Sequence, residues 1–158
     1  DRPERSATLT LHLGLESFLF AVGLWTLSRL YAPLLDAVGV TTASVPLHEQ
    51  PAGQMLTYLG AGIYEEILFR VLLYGGLMGL LRAGGVPRGL ARAGALLASA
   101  VLFAAAHHLG PYGQPMDAFI FCFRVLVGIY CGLLYQFRGF GVAVGAHAGY
   151  DVLVGVSV

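Results

Sequence analysis

Three ionisable residues stand inside one apolar stretch, in the run Tyr64-Glu65-Glu66-Ile67-Leu68-Phe69-Arg70. An ionisable side chain at the centre of a membrane helix costs about 2.5–3.5 kcal/mol on insertion scales, so each one needs a partner or a purpose. At about 100° per residue, Glu66 and Arg70 lie about 40° apart, in the favourable acid-before-base order at i,i+4, and can neutralise each other. Glu65 points about 100° away from Glu66 and about 140° from Arg70, so that pair does not satisfy it within the helix. It must face another group. A carboxylate so placed either bonds a neighbouring helix or acts as a base that takes a proton from water.

Two further spans carry histidines. The run Phe103-Ala104-Ala105-Ala106-His107-His108 puts His107 four residues after Phe103, on the same helical face, whereas His108 points about 100° away and reads as interfacial. The run Gly145-Ala146-His147-Ala148-Gly149-Tyr150-Asp151 repeats the i,i+4 spacing with His147 and Asp151. There the aspartate can fix the imidazole tautomer, both groups can enter one cavity, or the pair can simply hold two helices together. Glu65, His107 and His147 come from three spans otherwise nearly free of ionisable groups, a coincidence that independent structural accidents do not readily produce. Arg124, on a fourth span, is near neither motif and either snorkels or pairs with Asp117 or Asp151.

The elements that must position these groups are membrane helices. The 158-residue chain is 57% hydrophobic and 11% charged, against about 25% charged in soluble domains. A bilayer core about 30 Å thick needs about 20 apolar residues per helix. Five such windows occur, over 9–31, 55–81, 90–109, 118–137 and 140–158. They predict an all-α, polytopic membrane bundle in a single transmembrane domain, with 55–158 as the core that carries the motifs. The connectors are predicted at 33–54 (with Pro46 and Pro51), 82–89, 110–117 and Arg138-Gly139. Gly75-x-x-x-Gly79, Gly128-x-x-x-Gly132 and Gly145-x-x-x-Gly149 are read as notches for close helix approach. The absence of an initiator Met, a polar start and an end within an apolar run lead us to expect a fragment or a trimmed chain.

Nine basic residues, all arginine, balance nine acidic ones, so no basic field exists to hold a phosphate backbone, and nucleic acid is excluded as the main partner. Cys122 and Cys131 share one apolar span and read as packing residues, not as a disulfide framework or zinc knuckle. With the N-terminus inside, Arg2, Arg5, Arg82, Arg88, Arg92 and Arg138 fall on the cytoplasmic side and Arg29 falls outside, in line with the positive-inside bias. Helix rise puts His147 only about 13 Å from Arg138, so the last helix must begin deep in the membrane or Arg138 must snorkel.

Glu-Glu-x-x-x-Arg (Glu65, Glu66, Arg70), Phe-x-x-x-His (Phe103, His107) and His-x-x-x-Asp (His147, Asp151), in that order on successive spans, resemble the CPBP family of intramembrane proteases. This family, also called ABI, includes the type II CAAX prenyl endopeptidases and bacterial proteins of bacteriocin processing or immunity. The resemblance covers about two thirds of the chain, from Met55 onward, and places Phe123 and Gly128 in an extra core helix of looser pattern. It implies an intramembrane endopeptidase in which Glu65 activates a water and His107 helps to hold it. Glu66, Arg70 and Phe103 support the site, and His147 and Asp151 stabilise the oxyanion. Asp151 stands where Asn is more usual. An ionised carboxylate there repels an oxyanion, so Asp151 is expected to orient His147 or to carry a proton.

The family was long described as metal-dependent, and Glu65, His107 and His147 would be the zinc ligands on that view. The resemblance favours no cofactor, and His-Glu-x-x-His on one helix is absent. The implied partners are the lipid bilayer and a peptide or membrane-protein substrate, either a CAAX protein or a bacteriocin or leader peptide. A composition rich in Ala, Gly and Arg points to a bacterial cell membrane. Two other readings stand beside the protease: a bundle moving protons or solutes, although the chain shows no internal repeat, and a catalytically silent immunity or scaffold protein.

Overall fold

The computed structural model describes residues 2–39, 55–110 and 113–156, and every regular element among them is helical. In chain order these are α1 (Arg2–Ala37), α2 (Met55–Glu66), a π segment (Ile67–Tyr74), α3 (Gly75–Ala83), α4 (Arg88–Ala106), α5 (Ala118–Arg138) and α6 (Phe140–Val156). All five apolar windows are thus helical, and their ends agree with the hydropathy limits to within a few residues except in α1. Three helices among the described residues, over Ser6–Ala37, Arg88–Ala106 and Ala118–Arg138, are long and apolar enough to cross a membrane. The chain is an integral, multi-pass membrane protein. The 55–83 stretch departs from that standard through its charges and its π segment, and α6 through its shorter length.

α1 corrects the expected first connector. It has 36 residues and runs through Pro33, where the sequence predicts a loop. A hydropathy window locates apolar residues and not helix ends, and the lost donor and crowded carbonyl that a proline brings do not end this helix. Pro46 and Pro51 lie outside the described residues. Hydroxyls along the spans bond their own helix, as apolar surroundings require: Thr26 donates to the Val22 carbonyl at 2.9 Å and Ser99 to that of Leu96 at 3.0 Å.

The turns follow local chemistry. After α3, Gly85 adopts φ +81°, the Gly84 N–H reaches the Leu80 carbonyl, and the Arg82 guanidinium donates to the Val86 carbonyl at 2.9 Å. α5 opens on an N-cap, with Asp117 Oδ1 accepting from the Ile120 N–H at 2.9 Å. Gly139, at φ +91°, is the single residue between α5 and α6.

The helices form two compact units. One holds α1, the first turns of α2, and α6; the other holds residues 64–137. In the first, α1 and α6 run parallel: a Cβ on Gly145 would meet the Ser17 side chain at 2.5 Å, and one on Gly149 would meet Ala21 Cβ at 3.0 Å. Arg138 pairs with Glu16 of α1, so the charge that marks a loop in the sequence has a partner on a neighbouring helix. Arg29 lies over the Trp25 ring, 5.2 Å from its centroid.

In the second unit α4 buries Ala91, Ala95, Ser99, Ala100, Phe103 and Ala104. The antiparallel α5 sets Gly128 on Ala100 and Gly132 on the Leu96 side chain. Two of the three predicted glycine notches are therefore filled. The third is not: a Cβ on Gly79 meets nothing within 4 Å among the described residues, and one on Gly75 meets only a carbonyl of its own chain, that of Arg70. Cys131 is buried as expected, but Cys122 is exposed.

The notches predict opposite outcomes. At Gly128 an added methyl would lie 2.9 Å from Ala100 Cα, a backbone atom that no rotamer change can move. Gly128→Ala is expected to lower the thermal midpoint in detergent, by overpacking worth about 1–3 kcal/mol. Gly79→Ala is expected not to lower it. Equal midpoints for the two variants would refute this packing.

Candidate functional site

Glu65 and Glu66 close α2, and Arg70 stands in the π segment that follows. The backbone stays in the right-handed helical region through both junctions, with Glu66 at φ −66°, ψ −36° and Tyr74 at φ −61°, ψ −45°. π turns bond i to i+5, widen the helix, and are frequent at functional sites. The expected ion pair forms in spite of the changed pitch: Arg70 Nε lies 3.1 Å from Glu66 Oε2, and both side chains are fully buried.

Phe103, 2% exposed, joins the motifs of α2 and α4. The Arg70 guanidinium lies over its ring, 5.1 Å from the centroid, and Phe69 meets it edge-on with centroids 5.3 Å apart. Cation–π contacts of this kind strengthen when desolvated. His107 completes the cluster, its ring T-shaped to Phe103 at 4.9 Å.

His107 caps α4. Its Nδ1–H donates to the Phe103 carbonyl at 2.9 Å. A carbonyl can only accept, so in neutral His107 this bond puts the proton on Nδ1 and makes Nε2 an acceptor. Nε2 lies 3.8 Å from Glu65 Oε1, with the side chains of His107 and Glu65 27% and 23% exposed. Glu65, which cannot share the Glu66–Arg70 line, thus faces the histidine of the Phe-x-x-x-His motif. The separation is too long for a direct hydrogen bond and suits a bridging water.

His147 and Asp151 belong to the unit of α1 and α6. His147 is 4% exposed, and its Nε2 lies 3.9 Å from Asp151 Oδ2.

His108 bonds more than the interface. Its Nδ1–H donates to the Gln114 carbonyl at 2.9 Å, while Arg124 donates to Gln114 Oε1 at 2.7 Å and the Gln114 N–H donates to the His107 carbonyl at 3.0 Å. Gln114 therefore ties the α4–α5 connection directly behind His107, and Arg124, whose role the sequence left open, helps to hold it. Nothing in the Pro-rich connector marks Gln114 for this. Glu16 was missed as well, although a lone carboxylate in an apolar span is the signal that drew attention to Glu65.

A family model described as type II CAAX prenyl endopeptidase Rce1-like matches residues 49–153, a stretch that contains Glu65, Glu66, Arg70, Phe103, His107, His147 and Asp151. No curated protein and no solved structure matches the chain significantly.

Proposed function

Because the chain belongs to the type II CAAX prenyl endopeptidase Rce1-like family, we propose that it hydrolyses a peptide bond of a membrane-associated substrate with a water activated by Glu65 and without a resident metal. The observation that carries this reading is the approach of Glu65 Oε1 to His107 Nε2 at 3.8 Å. Both atoms are acceptors in the neutral-imidazole state, so a water between them donates one O–H to each and keeps its lone pairs for attack.

The water oxygen adds to the scissile carbonyl carbon as its proton passes to Glu65. His147 donates to the oxygen that becomes negative, and Asp151, 3.9 Å away, orients that imidazole. Glu65 then returns the proton to the amide nitrogen as the C–N bond breaks, releasing a carboxyl and an amino terminus. Glu66, Arg70 and Phe103 hold Glu65 and His107 in register. Glu65, His107 and His147 are also chemically a zinc-ligand set, and a zinc ion there would supply Lewis-acid activation of the water. A bacterial cell membrane and an unprenylated leader or hydrophobic peptide suit the composition; a prenylated CAAX protein suits the family.

The test is cleavage in proteoliposomes, using a prenylated CAAX reporter and a set of unprenylated hydrophobic peptides, each with and without chelator. Cleavage of at least one set, indifferent to chelator, is expected. Loss with chelator would replace the glutamate-only mechanism by a metal-assisted one. No cleavage of any peptide by folded protein would overturn the protease reading.

A further inference from the structure

We propose that Glu16, through its ion pair with Arg138, is a positioning residue that sets the register of α6 on α1 and thereby places His147 and Asp151 for the reaction. The proposal rests on the protease reading above for its catalytic consequence, but not for its geometry. Glu16 precedes residue 49, where the family match begins, so one member of the pair lies outside the matched stretch.

The contacts between α1 and α6 are made by small side chains. Gly145 sits against Ser17 and Gly149 against Ala21, while Gly62 of α2 sits against Ala148, where an added Cβ would meet the Ala148 Cα at 3.3 Å. Such contacts set how closely the helices approach. A charge pair has a definite place along the axis. Arg138 immediately precedes Gly139 and the first turn of α6, so its pairing with Glu16 pins the end of α6 at which the helix starts. The pair also gives the Glu16 carboxylate, which stands on an apolar span, a cationic partner at the end of α5.

α6 is held from behind. Gly145 and Gly149 face α1, and His147, two residues from each, lies about 160° around the helix from both. Asp151 likewise lies about 160° from Gly149. A slip of one residue along α1 would move the pair by about 1.5 Å and rotate it by about 100°. Misplacement of about 1 Å can lower a rate about 10²-fold.

Two readouts separate this proposal from the protease reading. Ala21→Cys/Gly149→Cys, in a background with Cys122 and Cys131 replaced by Ala, reports register through disulfide formation. The 3.0 Å Cβ separation is only about half an ångström short of the disulfide range. E16Q and R138Q are expected to slow this crosslinking, and to lower kcat about tenfold or more with KM little changed. The charge swap E16R/R138E is expected to restore both. Unchanged crosslinking in E16Q and R138Q overturns the proposal, as does slowed crosslinking with unchanged kcat, or a swap that rescues neither. A wild type that cleaves no peptide counts against the protease reading, and crosslinking then decides the register.

Discussion

Glu65→Gln is expected to abolish peptide cleavage, with kcat lower by about 10²–10⁴-fold, the range contributed by a positioned general base. Gln keeps the size and helix preference of Glu but cannot take a proton from water. Its amide also presents a donor where the bridging water needs an acceptor. The change spares the buried Glu66–Arg70 pair, so folding, detergent extraction and thermal midpoint should stay near the wild type. Peptide binding should survive as well, because the loss falls on the transition state and not on the ground state. Single-turnover cleavage of the best wild-type substrate, with binding measured in parallel, makes the comparison. A Glu65→Gln variant cleaving within about threefold of wild type would remove Glu65 from the chemistry, since a general base contributes far more than that. A transporter would instead show altered proton coupling, and a scaffold would show no change in partner binding.

The fold was legible where lipid dictates it. Backbone in hydrocarbon must satisfy its own polar groups, and an apolar run of about 20 residues does so as a helix, so the windows at 90–109 and 118–137 became α4 and α5 with ends moved by at most three residues. The end of α1 was not legible, because a helix can outlast its apolar stretch and pass a proline near its terminus. The π segment was invisible for a different reason. It is a shift of backbone partners from i+4 to i+5 that no residue type announces. Glycine spacing showed where helices can approach closely but not whether a partner is there, which is why Gly128 and Gly132 are filled and Gly79 is not.

The site was legible as far as one helix could show it. Angular arithmetic separated Glu65 from the Glu66–Arg70 line, an inference that survives the change of pitch because it concerns which groups cannot share a partner, and it placed His107 on the face of Phe103 in the regular helix α4. That Glu65 should meet His107 required tertiary packing, through the contacts Phe69 and Arg70 make with Phe103. Glu16 and Arg138, 122 positions apart, lay beyond any local reading. Hydropathy treats each as an isolated charge, and only the parallel run of α1 beside α6 makes them a pair.

The buried Glu66–Arg70 pair should dominate stability rather than chemistry. Both side chains are fully buried with 3.1 Å between charged atoms, and the Arg70 Nη1 and Nη2 have no hydrogen-bond acceptor among the described residues. Arg70 is held instead by the Glu66 charge and the Phe103 ring. Removing one partner of such a pair leaves a charge in a low-dielectric interior, at a cost of about 3–5 kcal/mol. Arg70→Ala and Glu66→Ala should each lower the thermal midpoint in detergent, on the order of 10 °C for a chain of this length. Activity should fall with folded fraction, and also because the π segment and Phe103 lose the contact that joins them. The double variant Glu66→Met/Arg70→Met should recover most of the lost stability, since apolar replacement of a whole buried pair is often neutral or stabilising. Its cleavage rate should stay below wild type, because two flexible thioethers cannot hold the Phe103 ring, and with it His107, as a guanidinium paired to a carboxylate does. A double variant as unstable as either single change would show that packing volume, and not charge, holds this region. Single variants with the wild-type midpoint would show that the pair is not desolvated in the folded protein.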